Sequence, residues 1–295
     1  MLTKLLRAGR RLALASAALA TVAAATPAAA EPALWAIRDH DSTIYLYGTV
    51  HVLKPGTEWR SAKMARALAD SRELVIEVVG ADDVAAAQPL IARFGVDAAR
   101  PLSSKLPAAD RPRLAAAAKA MGLPDGALEP MRPWLAALTL AVTPMIQAGY
   151  DPKSGVETIL QAEAKAAGKP VGALETLEQQ LRFFADMAPD VEVDLLRATL
   201  DDVAEGPAQL DRMVAAWAAG DMAALEKEFV EETRRDYPEM YKVVVVARNK
   251  DWANQLAEKL KGSGVSFVAV GAGHLVGPDS VQAQLAKRGI QATRE

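Results

Sequence analysis

Two of the chain's three histidines end the same short pattern, a glycine followed by two residues and a histidine. His51 closes the stretch "LYGTVH", and His274 closes "VAVGAGH" near the other end of the chain. Both stretches begin with β-forming residues, so each histidine is expected at the end of a strand. Two imidazoles that converge with a carboxylate could bind a divalent ion such as Zn²⁺ or Mn²⁺, or share acid and base roles. A hydrogen-bonded structural histidine is the alternative at each position, and His40 is expected to be a solvated turn residue.

Two glutamates at strand ends could supply the carboxylate. Glu77 is the charged residue within the apolar stretch "ELVIEVV", and burying it would be costly unless it is paired or bound to a metal. The alternative is a strand edge in solvent. Glu175 follows "VGAL", although Thr176 and Gln179 resemble a capping box that would leave Glu175 just outside a helix. Glu157 could simply be a first-turn residue that interacts with a helix dipole.

Arg248 and Asn249 are polar residues inside an otherwise apolar, helical region. A buried arginine there could bind a carboxylate or stabilise an oxyanion. A surface charge on an amphipathic helix is equally compatible with the pattern.

These residues need a sheet to bring them together. "ALWAIR" and "STIYLYGTV", joined by "DHDS", predict a β-hairpin. The helical pattern "WRSAKMARALADS" and the strand "ELVIEVV" follow, which indicates a βαβ unit with parallel pairing between the second and third strands. "KPVGAL" and "VSFVAVG" predict further strands, and "IQATRE" predicts an edge strand. The four valines of "YKVVVV" continue into a strong helical pattern, which favours a helix over a strand.

The fold class predicted from these strands and helices is therefore α/β. A helix-rich, alanine-rich middle region is expected over about residues 82–240. Residues 31–295 are numerous enough for one large domain or two small ones.

The first 30 residues have the composition of a secretory signal peptide. Basic residues precede an apolar stretch rich in alanine, and Ala28-Ala29-Ala30 offers a cleavage site. Residues 1–30 are therefore predicted to direct export to a periplasm, with an uncleaved membrane anchor as the alternative. No membrane span is expected after their removal.

Composition limits the remaining function classes. The chain has no cysteine, which excludes thiolate metal sites, cysteine nucleophiles and disulfides. Its net charge of −3, without a basic tract after the signal, gives no indication of a nucleic-acid partner.

The ordered motifs resemble the TraB/GumN family, which also includes the Tiki proteins. The resemblance rests on these stretches: "TIYLYGTVHVL", "ELVIEV", "SGVETILQAEAKAAGKPVGALETLEQQ", "ARNKDW" and "VAVGAGHLVGPDSV". It implies a single domain over residues 31–295, with a fold like that of erythromycin esterase and the ChaN proteins, in which a central mixed β-sheet is surrounded by helices. It also implies a metal-dependent hydrolase site that holds both histidines and a strand glutamate, because Tiki relatives are described as metalloproteases. TraB members are linked instead to the inhibition of peptide pheromones.

The leading hypothesis is a periplasmic metal-dependent hydrolase, with a peptide or small molecule as substrate. His51, His274 and Glu77 would bind Mn²⁺, Co²⁺ or Zn²⁺, and Glu77 could also activate the bound water. Glu175, Arg248 and Asn249 would support them. A non-catalytic peptide- or ligand-binding protein and a metal-free, esterase-like hydrolase are the two alternatives, and the oligomeric state is left open.

Overall fold

The computed structural model describes residues 30–81, 83–203 and 205–295. The predicted signal peptide over residues 1–30 lies outside this description except for Ala30. Within the described ranges, no helix has both the length and the apolar character that crossing a bilayer requires. The strands are β1 (Leu34–Arg38), β2 (Ser42–Thr49), β3 (Glu73–Val78), β4 (Val171–Glu175), β5 (Gly264–Gly271) and β6 (Ala292–Arg294).

The six strands form one mixed sheet in the order β4-β3-β5-β2-β1-β6. β4, β3, β5 and β2 are mutually parallel, whereas β1 pairs antiparallel with both β2 and β6. The predicted hairpin, edge strand and α/β class are confirmed. The predicted direct pairing of β2 with β3 is wrong because β5 lies between them. Most of β5 is buried, which suits the centre of a sheet better than a position nearer the edge.

Helices surround this sheet and fill the middle of the chain. Their bounds are α1 (Ala62–Asp70), α2 (Val84–Gly95), α3 (Leu102–Lys105), α4 (Arg111–Ala120), α5 (Pro133–Gln147), α6 (Val156–Ala166), α7 (Leu177–Ala185), α8 (Pro189–Asp202), α9 (Gly206–Ala218), α10 (Met222–Leu225), α11 (Glu232–Asp236), α12 (Pro238–Tyr241), α13 (Arg248–Leu260) and α14 (Val281–Ala286). The helix-rich middle region is confirmed, with β4 as the strand expected within it.

Two of the longer helical segments contain a π-helical turn. Glu226–Glu231 links α10 to α11, and Lys242–Ala247 links α12 to α13. The valine run therefore lies in a helix, as predicted, because the strong helical pattern after it overrides the local β preference of valine. A π turn inserts one extra residue per turn and is frequent at functional sites.

The order of helices and strands brings helix starts to one edge of the sheet. α1, α6 and α13 each lead directly into a parallel strand, β3, β4 and β5 respectively. Each of these helices runs antiparallel to its strand, so its first turn lies near the carboxyl ends of the strands. Ligands of α/β proteins gather at this edge.

Apolar side chains cover both faces of the sheet. One cluster includes Tyr47, Phe267 and Trp217, and the other includes Ile44, Val268 and Trp252. The helical region has an additional cluster around Leu114, Leu140 and Leu196. The buried Trp217 also donates its indole N–H to the carbonyl oxygen of Gly48, at 2.8 Å, next to the pattern that ends in His51.

We expect Trp217→Phe to destabilise the protein by about 1–3 kcal/mol, because it leaves the Gly48 carbonyl without its donor and removes buried volume. Trp35→Phe is the matched control, since the buried indole nitrogen of Trp35 has no hydrogen-bond partner. Urea unfolding of both variants measures the difference. Equal losses in the two variants would contradict a role for the Trp217–Gly48 hydrogen bond.

Candidate active site

The carboxyl edge of the parallel strands gathers a cluster of polar side chains. Some follow or end strands, and others come from the first turns of helices that begin above this edge. The cluster consists of Thr49, His51, Glu77, Glu157, Glu175, Gln180, Arg248, Asn249 and His274. All six residues predicted from the sequence to form the site therefore lie at one edge of the sheet.

Arg248 is the cation at the centre of this cluster. Its Nε and Nη2 atoms donate to the two carboxylate oxygens of Glu175, both at 2.9 Å, and Nη2 also donates to Glu77 at 2.7 Å. The guanidinium lies 4.7 Å from the ring centroid of Trp252 and 5.3 Å from that of Phe183. Burial would lower the pKa of Arg248, but the two carboxylates raise it above its usual value. Arg248 is therefore a buried, permanently charged group and not a surface residue.

Glu77 is buried within β3, with only 5% of its surface exposed. Its Oε1 accepts the backbone N–H of Gly271 at 2.7 Å, and its Oε2 accepts Arg248 and the amide of Gln180, the latter at 3.3 Å. Burial alone would raise the pKa of Glu77, but the charges of His51 and Arg248 and the Gly271 N–H lower it below its usual value. The solvent-facing alternative is wrong, and Glu77 is an anion held by donors.

Glu175 ends β4 and is also buried. Besides Arg248, it accepts the indole N–H of Trp252 at 2.8 Å and the amide of Gln180 at 3.1 Å. The capping box between Thr176 and Gln179 forms as well. The capping interpretation and the functional interpretation of this segment are thus compatible.

The hydrogen bonds of His274 define its tautomer. Asn249 donates its amide to the carbonyl oxygen of Asp279 at 2.8 Å, so its Oδ1 faces the ring and accepts Nδ1–H of His274 at 2.6 Å. The Nε2 atom then carries the lone pair and accepts Nη1–H of Arg248 at 3.1 Å. Burial and the adjacent guanidinium lower the pKa of His274 to about 3, so the imidazole is neutral.

His51 is held from the other side by Glu157. Its Nδ1 lies 2.7 Å from Glu157 Oε1, which also accepts the hydroxyl of Thr49. Desolvation would lower the pKa of His51, but the charge and hydrogen bond of Glu157 raise it. The ring is 64% exposed, which makes it the accessible imidazole of the site. Glu157 therefore orients His51, a role that its first-turn position alone did not indicate.

A glycine marks the point where the candidate ligands meet. A Cβ atom built on Gly271 would lie 3.1 Å from Glu77 Oε1, 3.3 Å from His51 Nε2 and 3.6 Å from His274 Cδ2. Both imidazoles and the strand glutamate thus border one small space, although the two histidines are far apart in sequence. Gly155 contributes in a similar way, because a side chain there would overlap the backbone of His51.

Comparison with known proteins identifies the family. A family model described as the TraB/PrgY/gumN family matches residues 33–294. The chain belongs to this family. Neither a curated protein nor a solved structure matches it. The likeness to erythromycin esterase and the ChaN proteins therefore stays a prediction.

In this TraB/PrgY/gumN protein, the chemistry of the cluster suits a divalent cation. Both histidines have Nδ1 engaged by an oxygen acceptor, an arrangement that fixes the ring of a metal-binding histidine. The carboxylates of Glu77, Glu157 and Glu175 outnumber the Arg248 guanidinium, and the buried Glu157 Oε2 has no hydrogen-bond partner. His51 and Glu77 could bind an ion as placed. His274 could join them only if Arg248 no longer donated a hydrogen bond to the Nε2 atom of His274.

The spacing of the ligand atoms is wider than in a compact metal cluster. Within the described ranges, the exposed residues Asp39, His40 and Asp41 form the one group of three whose ligand atoms all lie within 4.8 Å of one another. They occupy the turn between β1 and β2, where His40 was expected to be solvated.

Several residues of the site escaped the sequence analysis. Thr49 and Gln180 carry no distinctive pattern, whereas Gly271 is the glycine of the pattern that ends in His274. Glu157 belongs to the family motif "SGVETIL", and its proximity to His51 arises from β2 and α6 meeting at the same edge of the sheet. Gly155, in the same motif, is a signal that could have indicated a close backbone approach.

We expect Gly271→Ala to abolish the activity of the site while leaving the fold intact. The added methyl group would occupy the space between Glu77, His51 and His274, and these neighbours need to shift by only a few tenths of an ångström. Gly262→Ala, which contacts only the Lys259 carbonyl at 3.2 Å, is the control. Retained metal binding and retained turnover in Gly271→Ala would contradict the assignment of this space.

We expect the imidazole proton resonances of His51 to titrate well above pH 6.5 in chelator-treated protein, because Glu157 stabilises the charged ring. Glu157→Gln should lower this midpoint. The ion pair should stabilise the fold fully below pH 6.5 and lose its contribution as the pH rises through the elevated pKa. The resonances of His274 should not titrate between pH 5 and pH 9. A midpoint of His51 unchanged by Glu157→Gln would contradict the pairing.

Proposed function

We propose that this TraB/PrgY/gumN protein is a metal-dependent hydrolase that acts on a peptide or a related small substrate. One observation carries the proposal: His51 Nε2 and Glu77 Oε1 border the same space beside Gly271, while an acceptor holds Nδ1 of each histidine. Exposed His51 and buried Glu77 place this space at the boundary between solvent and core.

His51 and Glu77 would hold the divalent ion, with His274 as a third ligand. Such an ion lowers the pKa of bound water to about 7, which makes hydroxide available near neutral pH. Glu157 orients His51, and Asn249 fixes the tautomer of His274. The lowered pKa of Glu77 keeps its carboxylate ionised near neutral pH, so it presents negative charge to a cation.

Arg248 would stabilise the negative charge that develops on the substrate oxygen. Its Nη1–H bonds the neutral imidazole of His274, whereas its other donors bond carboxylates. An oxyanion is a stronger acceptor than a neutral imidazole, so Nη1 is the donor most easily transferred to the substrate. An imidazole of His274 that held the ion could no longer accept this Nη1–H, so Nη1 would already be free for the substrate oxygen. Glu175 and Trp252 keep the guanidinium in place.

The predicted location is the periplasm. This part of the proposal rests on the basic and alanine-rich sequence of residues 1–30, and on nothing in the described structure.

A metal-free hydrolase is the second candidate, and the Arg248–His274 hydrogen bond of 3.1 Å favours it. In that mechanism, His51 would act as the general base. Glu157 would orient its ring and stabilise the charged form, as the carboxylate does in a catalytic triad. The same contact raises the pKa of His51, so activity by this mechanism would increase as the pH rises through that pKa and the ring loses its proton.

We expect His51→Ala and His274→Ala to lose bound metal and to lower kcat/KM by at least about 100-fold. His40→Ala, in the exposed turn, should retain both properties. Elemental analysis of protein purified from the periplasm measures the metal. Fluorogenic peptide and ester libraries with Mn²⁺, Co²⁺ or Zn²⁺ measure turnover, and urea unfolding verifies each fold.

The alternatives give different results. Full activity after exhaustive chelation, with activity lost in His51→Ala, would overturn the metal-dependent mechanism in favour of the metal-free one. A peptide that binds the site and stays intact with every ion would contradict both hydrolases and indicate a binding protein.

A further inference from the structure

We propose that a groove in the helical region binds a cationic, amphipathic peptide segment. The inference goes beyond the proposed hydrolysis, because binding in this groove requires neither the metal nor turnover. We call this feature the helical groove.

The helical groove has an apolar floor built by several helices. α5, α8, α9 and the segment around α11 surround a cavity of about 420 Å³. Its apolar lining consists of Ala141, Met145, Leu195, Ala198, Val203, Leu210, Met213, Phe229 and Met240. A second cavity of about 380 Å³ shares Leu195, Ala198, Tyr237 and Met240 with it, so the two lie side by side. A short amphipathic segment can lay its apolar face into a groove of this kind.

Methionine is concentrated in this lining. Met145, Met213 and Met240 are three of the nine methionines in the chain, and all three are only partly buried. The side chain of methionine is flexible and polarisable, so methionine-rich surfaces adapt to apolar side chains of different shapes. A closed structural core would bury these side chains.

The charges around the helical groove are almost all negative. Among the lining residues that the structure describes, Arg197 is the one cation, and the acids are Asp194, Asp201, Glu228, Glu232, Asp236 and Glu239. Five of these six acids pair with a basic residue. Asp194 pairs with Arg197, and the other four pair with residues that do not line the cavities, namely Arg113, Arg212, Arg235 and Lys242. Such exposed pairs are weak and can be exchanged for pairs with a ligand. The lining therefore complements lysine or arginine on the flank of an apolar segment.

This charge pattern favours one occupant over others. Nucleic acids and anionic lipid headgroups carry phosphates that the acidic lining would repel. A purely apolar ligand would make no favourable electrostatic contact with the six acidic lining residues. A segment with apolar residues at helical spacing and flanking basic residues would contact the apolar floor and pair with the acidic lining residues.

The helical groove also adjoins the candidate active site. Phe229 lines the groove from the π turn Glu226–Glu231, and its ring packs against Gly273. Gly273 directly precedes His274. The ring of Phe229 would thus separate a segment bound in the groove from the edge of the sheet that carries the candidate site. The groove could hold part of a longer peptide while another part reaches that site.

Fluorescence anisotropy with a labelled peptide about 14 residues long, combining leucine at helical spacing with lysine, tests the inference. We expect saturable binding that weakens with salt and persists in chelator. A peptide with glutamate in place of lysine should bind at least about tenfold more weakly, as should a peptide with glutamine in place of leucine.

Variants locate the binding. The double variant Glu232→Gln/Asp236→Asn should weaken peptide binding roughly fivefold and reduce the salt dependence of binding. The control Asp70→Asn/Glu258→Gln removes the same amount of charge away from the groove and should leave peptide binding unchanged. Met213→Ser should weaken it as well, with urea unfolding to confirm the fold. Equal binding of the lysine and glutamate peptides, equal effects of the two double variants, or preferential binding of anionic vesicles would overturn the proposal. Because all these measurements are made in chelator, their failure is separate from any failure of the hydrolase assignment.

Discussion

The buried guanidinium of Arg248 is the constraint on which the arrangement of the site depends. Removing a permanent charge from water is costly, and only close, well-oriented carboxylates make it tolerable. Glu175 supplies a two-point contact, and Glu77 supplies a third hydrogen bond. These acids end or occupy neighbouring parallel strands, whereas the arginine begins the helix that leads into β5. One charged group thus links two strands and a helix at the carboxyl edge.

The same interaction determines the state of the groups around it. Because His274 is buried and lies beside Arg248, the pKa of its imidazole is lowered, and the neutral ring presents its lone pair towards the guanidinium. Because Arg248 and the Gly271 N–H bond Glu77, that carboxylate stays ionised although it is buried. His51 is oriented separately by Glu157 and is open to solvent. The site therefore combines the buried, hydrogen-bonded residues Glu77, Arg248 and His274 with the exposed imidazole of His51. This arrangement suits polar chemistry on a bound substrate.

Sequence patterns predicted the elements better than their order in the sheet. The hairpin, the valine-containing helix and the strands that carry Glu77 and Glu175 were correct because each depends on local periodicity and turn residues. The position of β5 between β2 and β3 depends on long-range packing, which local patterns do not encode. Site residues that end strands could be found for the same reason. Glu157 and Gln180 were missed because their roles arise from helices that meet the edge from different parts of the chain.

A double-mutant cycle on Arg248 and Glu175 tests the central claim most directly. Arg248→Met and Glu175→Gln should each destabilise the fold by about 3–5 kcal/mol, because each leaves a buried charge without its principal partner. The double variant should lose at least about 1 kcal/mol less than the sum of the single losses. Urea unfolding of the four proteins measures this coupling. Strictly additive losses would contradict the claim that this buried ion pair organises the site.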